Sequence, residues 1–198
     1  MKILVVISTT FLLTLIPVDV QRMINVSRIR HFEIISESGD LKTINITLFH
    51  DKMQDRVAGV VEFTRNVHLK QVTFLIFRCS FENYACENFQ TWKVEGKVLE
   101  QMPKMKNQMW SPLFDNFNPK LDVPHIKKSI YRHSGGNFDA NAVLKFYPEA
   151  TKYFWKLNVT LVDIDDKTVA TLLFEATFHT FAVRDRKEVE HTRNAHIL

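Results

Sequence analysis

The sequence predicts an all-β fold with minor helix, built as two antiparallel sheets packed face to face. Three observations carry that expectation. Apolar and polar residues alternate over several long segments, the pattern of strands with one face inside and one outside. Short polar segments such as HDKMQD and DIDDK separate those runs, and their residue types favour turns. Two Asn-x-Thr triplets fall on the polar parity of their strands, where an attached glycan points to solvent.

HFEIIS (31–36) reads as a leading strand. KTINITLFH (42–50) sets Ile44, Ile46 and Leu48 against Asn45 and Thr47, and RVAGVVEFT (56–64) comes after the HDKMQD turn. LKQVTFLIFR (69–78) has Val72, Phe74 and Ile76 on one parity. Leu75 and Phe77 leave it little polar face, so it is expected to be central. RNVH, before it, reads as a hairpin-type connection. ENFQTWKVEGKVLEQM (87–102) avoids strict alternation and fits one helix, a broken helix or an edge segment. Pro103, Pro112, Pro119 and Pro124 punctuate the middle of the chain, with a short helix expected in KNQMWSPLFDNFN. After SGGN (134–137), AVLKFYP (142–148) and KYFWKLNVTLVD (152–163) read as strands. DIDDK turns the chain into TVATLLFEATFHTF (168–181), and these last two strands are expected to form a hairpin.

Residues 1–20 have the layout of a secretory signal, one lysine followed by an apolar run ending at Pro17. An uncleaved anchor is the alternative, because Val18 and Val20 are poor cleavage residues. Residues 21–183 are expected to form one domain with a sizeable core, and 184–198 a charged, solvated tail. Outside the first segment no stretch reaches the ~20 apolar residues of a membrane-spanning helix, so no stable membrane span is expected. The formal charge of +4 is too small and too dispersed for a nucleic-acid partner. Asn25-Val-Ser, Asn45-Ile-Thr and Asn158-Val-Thr are candidate N-glycosylation sites on a secreted, extracellular chain. Cys79 and Cys86, the only two cysteines, are expected to close a small loop as a disulfide in an oxidising compartment.

Enzymatic motifs are lacking. The chain carries no nucleophile elbow, phosphate loop, dinucleotide fingerprint or HExxH pair, and no catalytic residue, cofactor or metal is expected. The eight histidines are scattered; His125 and His133 match no metal-site spacing. Asp163, Asp165 and Asp166 read as a hairpin tip rather than a calcium loop, lacking its glycine and terminal glutamate. Lys104, Lys106, Lys120, Lys127, Lys128 and Arg132 crowd the Pro-rich middle, as solvated loops or as a positive rim for an acidic headgroup. The apolar faces are left as the carriers of function. Sixteen Phe against four Tyr give aromatic surface with few polar handles, a composition that serves equally for a dry core and for a lined cavity.

From Leu41 to Phe181 the chain resembles the insect branch of the ML-type lipid-recognition proteins, the ganglioside-activator-like group that includes fly secreted chemosensory proteins. VAGVVEFTRNVHLKQVTFLIFR is similar to the family's early strand pair. Pro124 in DVPHIKKSIY matches the proline of its Cys-Pro step, with Tyr131 downstream. FYPEATKYFWKLNVTLVDIDDKTVATLLFEATF is similar to its closing signature. Val123 stands where the family has cysteine, and the Val98-Leu99 region lacks the partner cysteine, as loss of one bridge would leave it.

The resemblance implies an immunoglobulin-like sandwich forming a lipid-binding cup. Its lining would be Val72, Phe74, Ile76, Tyr153, Trp155, Leu157, Val159, Leu161, Leu172, Phe174 and Phe178. The expected partner is a lipid or other hydrophobic small molecule, fatty-acyl or pheromone-like, with a possible cell-surface receptor and a role in chemosensation. The alternatives are an extracellular interaction module with a filled core and a lipid-presenting accessory to a hydrolase.

Overall fold

The computed structural model describes residues 22–51, 55–105, 111–136 and 139–183; the expected signal segment (1–20) and tail (184–198) lie outside them. The chain divides into two compact units, Asn25–Thr180 and Met1–Ile24 with Phe181–Leu198. Of the smaller unit, the described residues are strand ends. The strands are β1 (Arg22–Ile35), β2 (Leu41–His50), β3 (Asp55–Phe63), β4 (Val67–Ser80), β5 (Cys86–Glu95), β6 (Phe117–Asn118), β7 (His125–Ile126), β8 (Ser129–Gly136), β9 (Tyr153–Asp163) and β10 (Thr168–Val183). Helices α1 (Gly96–Gln101), α2 (Ser111–Asp115) and α3 (Ala140–Phe146) interrupt them, and a 3-10 turn spans Pro148–Lys152.

Two antiparallel sheets form an all-β sandwich, as expected. The larger has the order β1-β10-β9-β4-β5, with β7 paired to the start of β4; the smaller has the order β2-β3-β8-β6. β4 is central, between β9 and β5. β9 and β10 are the expected hairpin. Its tip, 164–166, is closed by Asp163 N–H donating to the Lys167 carbonyl at 3.0 Å, and Asp166 takes a left-handed φ of +60°. A three-residue loop ending in a left-handed residue matches the right-handed twist of its strands.

The core joins both sheets at the end where β1 turns into β2. Val72, Leu69, Val169 and Ala170 of the large sheet pack with Leu41, Phe63 and Tyr131 of the small one, beneath Leu99, Val123 and Ile126. Phe63 and Tyr131 meet edge to face at 5.7 Å between ring centroids, a favoured aromatic geometry. A second cluster places Ala140 and Leu144 of α3 on Ala150 and Phe178.

The structure corrects the sequence reading in four places. AVLKFYP is not a strand: residues 140–146 are α3, started by the Asp139 carboxylate accepting from Asn141 N–H at 2.9 Å. Its apolar residues satisfy both spacings, but the Asp cap and the 140/144 repeat toward one cluster decide for helix. RNVH is not a hairpin: β3 and β4 belong to different sheets, and the segment carries the chain across the sandwich. Ile44 does not share a face with Ile46 and Leu48. A bulge between Thr43 and Asn45 breaks the alternation and leaves Ile44 55 % exposed. SGGN is not simply a link before the returning strands β9 and β10: Gly135 and Gly136 end β8, a strand the sequence did not signal. The ambiguous 87–102 segment resolves into edge strand β5 and helix α1, with Gly96 at φ +51° where one becomes the other.

Gly59 faces that bulge. A Cβ there would lie 2.7 Å from the Asn45 carbonyl oxygen, and a backbone atom cannot swing away. Gly59→Ala is therefore expected to lower stability by about 1–3 kcal/mol, read as a drop in the urea midpoint with an unchanged denaturant slope. An unchanged midpoint would mean that β2 is free to shift on β3.

Candidate functional site

The register of β4, β9 and β10 places all eleven expected lining residues on one face. Val72, Leu161 and Ala170 form one row across the sheet; Phe74, Val159 and Leu172 form the next, followed by Ile76, Leu157 and Phe174. Arg78, Trp155 and Ala176 make the fourth row. This face looks toward the small sheet, because its first rows pack with Val61, Phe63 and Tyr131.

Along that face the packing changes. Val72, Phe74, Val159 and Leu161 belong to the inter-sheet core. Trp155 and Phe178 belong to the cluster under α3. Between them Ile76, Leu157, Leu172 and Phe174 are half-buried and join neither cluster. Phe174 meets Phe32 edge to face at 6.3 Å. On the small sheet Ile46, Leu48 and Val57 are likewise half-buried and outside both clusters. The sequence reading drew its lining from the large sheet alone. The Ile46/Leu48 alternation was visible, but the partner across the sheet pairing, Val57, was not.

An aromatic group stands beyond the fourth row. Trp155 lies edge to face with Phe89 at 5.1 Å, Tyr147 at 5.5 Å and Tyr153 at 6.2 Å. Trp155 donates its indole N–H to the Ala150 carbonyl at 3.0 Å, which anchors the 3-10 turn on β9. The Arg78 guanidinium sits 4.8 Å from the Tyr153 ring centre, donates to Tyr147 Oη at 3.0 Å and pairs with Glu87.

Cys79 and Cys86 form the expected disulfide, bridging directly opposed residues of β4 and β5 with Cα atoms 4.1 Å apart. The hairpin it closes lays Phe81 and Tyr84 on Phe154, at 5.8 and 5.9 Å. The three sequons differ. Asn45 is exposed on edge strand β2. Asn158 is half-buried on the opposite face of the large sheet, in an open depression of about 280 Å³ lined also by His31, Lys156, Leu173, Phe174 and Glu175. Asn25 is engaged, donating to Asn141 Oδ1 at 3.0 Å and accepting from Thr180 at 2.8 Å.

The charged groups noted in the sequence are tied into the frame. Asp163, 1 % exposed, accepts from Arg65 at 2.7 Å and from Asp165 and Lys167 N–H at 3.0 and 2.9 Å. Arg65 also holds Asp40 at 2.7 Å, and Asp166 pairs with Lys70 at 2.6 Å. Lys104 and Lys120 share an open depression of about 330 Å³ with Glu100 and Asp122, so their surroundings carry both signs; Lys106 lies outside the described residues. His133 is held by its Nδ1 at 2.9 Å from the Val57 carbonyl. Missed by the sequence reading is Asp55, expected within a polar turn. It is 1 % exposed and accepts from Ile29 N–H and Arg28, both at 2.8 Å, and from His50 at 3.0 Å.

No protein-family model matches the chain, and no curated protein is significantly similar to it. Among the described residues no helix is long and apolar enough to cross a membrane.

Burial would raise the carboxyl pKa of Asp55 and of Asp163, but the hydrogen bonds they accept outweigh it and both lie below the ordinary value. Their contribution to stability is thus complete above the unfolded carboxyl range, near pH 4, and is lost as pH falls through the folded values. Thermal unfolding is expected to be flat from pH 7 to about 5 and to weaken below about pH 4. Asp163→Asn is expected to cost about 1–3 kcal/mol at pH 7 and to flatten the acid limb. An acid limb identical to wild type would assign the effect to other carboxylates.

Proposed function

We propose that this protein is a secreted, non-enzymatic carrier of a hydrophobic small molecule, a lipid, fatty-acyl compound or hydrocarbon, held between its two sheets. The observation that carries the reading is the half-buried group Ile76, Leu157, Leu172 and Phe174. It sits on the inward face between two packed clusters and belongs to neither, opposite a sheet whose Ile46, Leu48 and Val57 are in the same state. Apolar surface left between packed ends costs free energy until something apolar covers it. A tail laid across those rows would bury it. The disulfide supports an oxidising, extracellular setting. The resemblance to the insect ML-type proteins gives the reading its direction, toward chemosensation and a receptor at the cell surface.

The rival is an extracellular interaction module acting by surface contact. Edge strand β5 favours it, with Trp92 47 % exposed and Tyr84 of the adjoining turn 65 % exposed. Two measurements separate the readings. Native mass spectrometry of the secreted protein, purified without detergent, is expected to show a mass excess that solvent extraction releases as lipid or hydrocarbon. A clean mass after incubation with long-chain lipids and hydrocarbons would leave the interaction module. Leu157→Trp is expected to abolish the mass excess at little cost in stability. In a filled core the same substitution would overpack and cost about 1–3 kcal/mol.

A further inference from the structure

Arg78 is the cation that stands immediately beyond the half-buried row of Ile76, Leu157 and Phe174 on the large sheet's inward face. Its neighbour two positions earlier on β4, Ile76, lies in the row of Leu157 and Phe174. The guanidinium is not free. It rests against the rings of Tyr153 and Phe89, at 4.8 and 5.7 Å from their centres, and donates to Tyr147 Oη and to Glu87. The aromatic contacts and the Tyr147 bond fix its plane from the protein side. Glu87 is different: its side chain is 63 % exposed, against 28 % for Arg78. A solvated carboxylate on an edge strand contributes little to such a pair and is readily exchanged. Arginine presents a rigid fork that matches a carboxylate in two-point contact.

We propose that Arg78 is the headgroup site of the carrier, so that its ligand is a long-chain carboxylate, with the ligand's acid group taking the place of Glu87 on the guanidinium and its chain running over Ile76, Leu157 and Phe174. The inference rests on the carrier reading and narrows it, from any hydrophobic molecule to an anionic amphiphile. Glu87 then acts as an internal stand-in that keeps the charge paired when the site is empty.

The test compares hexadecanoic acid, hexadecanol and hexadecane on the secreted full chain, by displacement of a fluorescent probe. Wild type is expected to prefer the acid over the alcohol by about tenfold, the scale of one charge-assisted contact. Arg78→Gln is expected to erase that preference, weakening the acid about tenfold relative to the alcohol. Because Arg78→Gln also removes contacts to Tyr147 and could loosen the fold, Glu87→Gln supplies the second variant. It removes only the competing carboxylate and is expected to tighten acid binding severalfold without affecting the alcohol. Equal binding of acid and alcohol by wild type, or equal effects of Glu87→Gln on both, would overturn the headgroup site while leaving the carrier intact. Binding of none of the three would overturn the carrier reading itself.

Discussion

The antiparallel register that holds β9 between β4 and β10 is the constraint on which the rest of the structure depends. A shift of one residue would exchange the two faces of the sheet, turning Leu157 and Trp155 outward and Lys156 and Asn158 inward. Several features oppose that slip. The tight 164–166 loop sets the hairpin, and the Lys156–Glu175 pair at 2.7 Å spans the two strands on the outer face. At the far end the disulfide fixes Cys79 opposite Cys86, locking β4 to β5 where the hairpin would otherwise fray. With the register set, the inward rows are determined, and so is the position of Arg78 beside Trp155.

Two buried carboxylates then hold the layers together. Asp163 and Asp40 share Arg65 where the chain crosses from one sheet to the other, so one guanidinium joins the β1–β2 corner, the crossover and the β9–β10 tip. Asp55, at the start of β3, reaches the Ile29 amide and Arg28 of β1. A buried carboxylate is costly unless its oxygens are satisfied, and Asp163 and Asp55 are each satisfied from two or more elements at once. That makes them position-specific in a way that apolar contact is not. They fix where the sheets meet, whereas the apolar faces allow a range of separations.

This division of labour bears on function. If apolar burial alone held the sheets together, they would close until the inward faces met everywhere. Polar anchors at Arg65 and Asp55, with α3 packed across Trp155 and Phe178, hold the two ends, and the rows between are half-buried and outside both clusters. The proposed carrier uses that interval for a tail and the aromatic group around Arg78 for a head. The same anchors explain why the site sits on rigid strands instead of loops, a placement that suits a ligand recognised by shape and length.

Alternation alone determined the all-β class, the central place of β4, the β9–β10 hairpin and, within each strand, which of the eleven expected lining residues share a parity, because a period of two is a local property of each strand. The register then brought the three sets to one face. The pairing of Cys79 with Cys86 was legible for a different reason, as the only two cysteines, seven residues apart; that they face each other across a β4–β5 hairpin was not. Tertiary structure decided the rest. Whether RNVH turns back or crosses over depends on which sheet β4 joins, and residues 140–146 satisfy two periodicities until α3 finds its cluster. Ile44 is turned out by a bulge that only β3 reveals. Asp55 looked like a turn residue because its partners, Arg28 and Ile29, lie far off in the chain. The same holds for the proposed site: a core position and a position outside the core have identical alternation, and only the packing across the sandwich separates Val159 from Leu157.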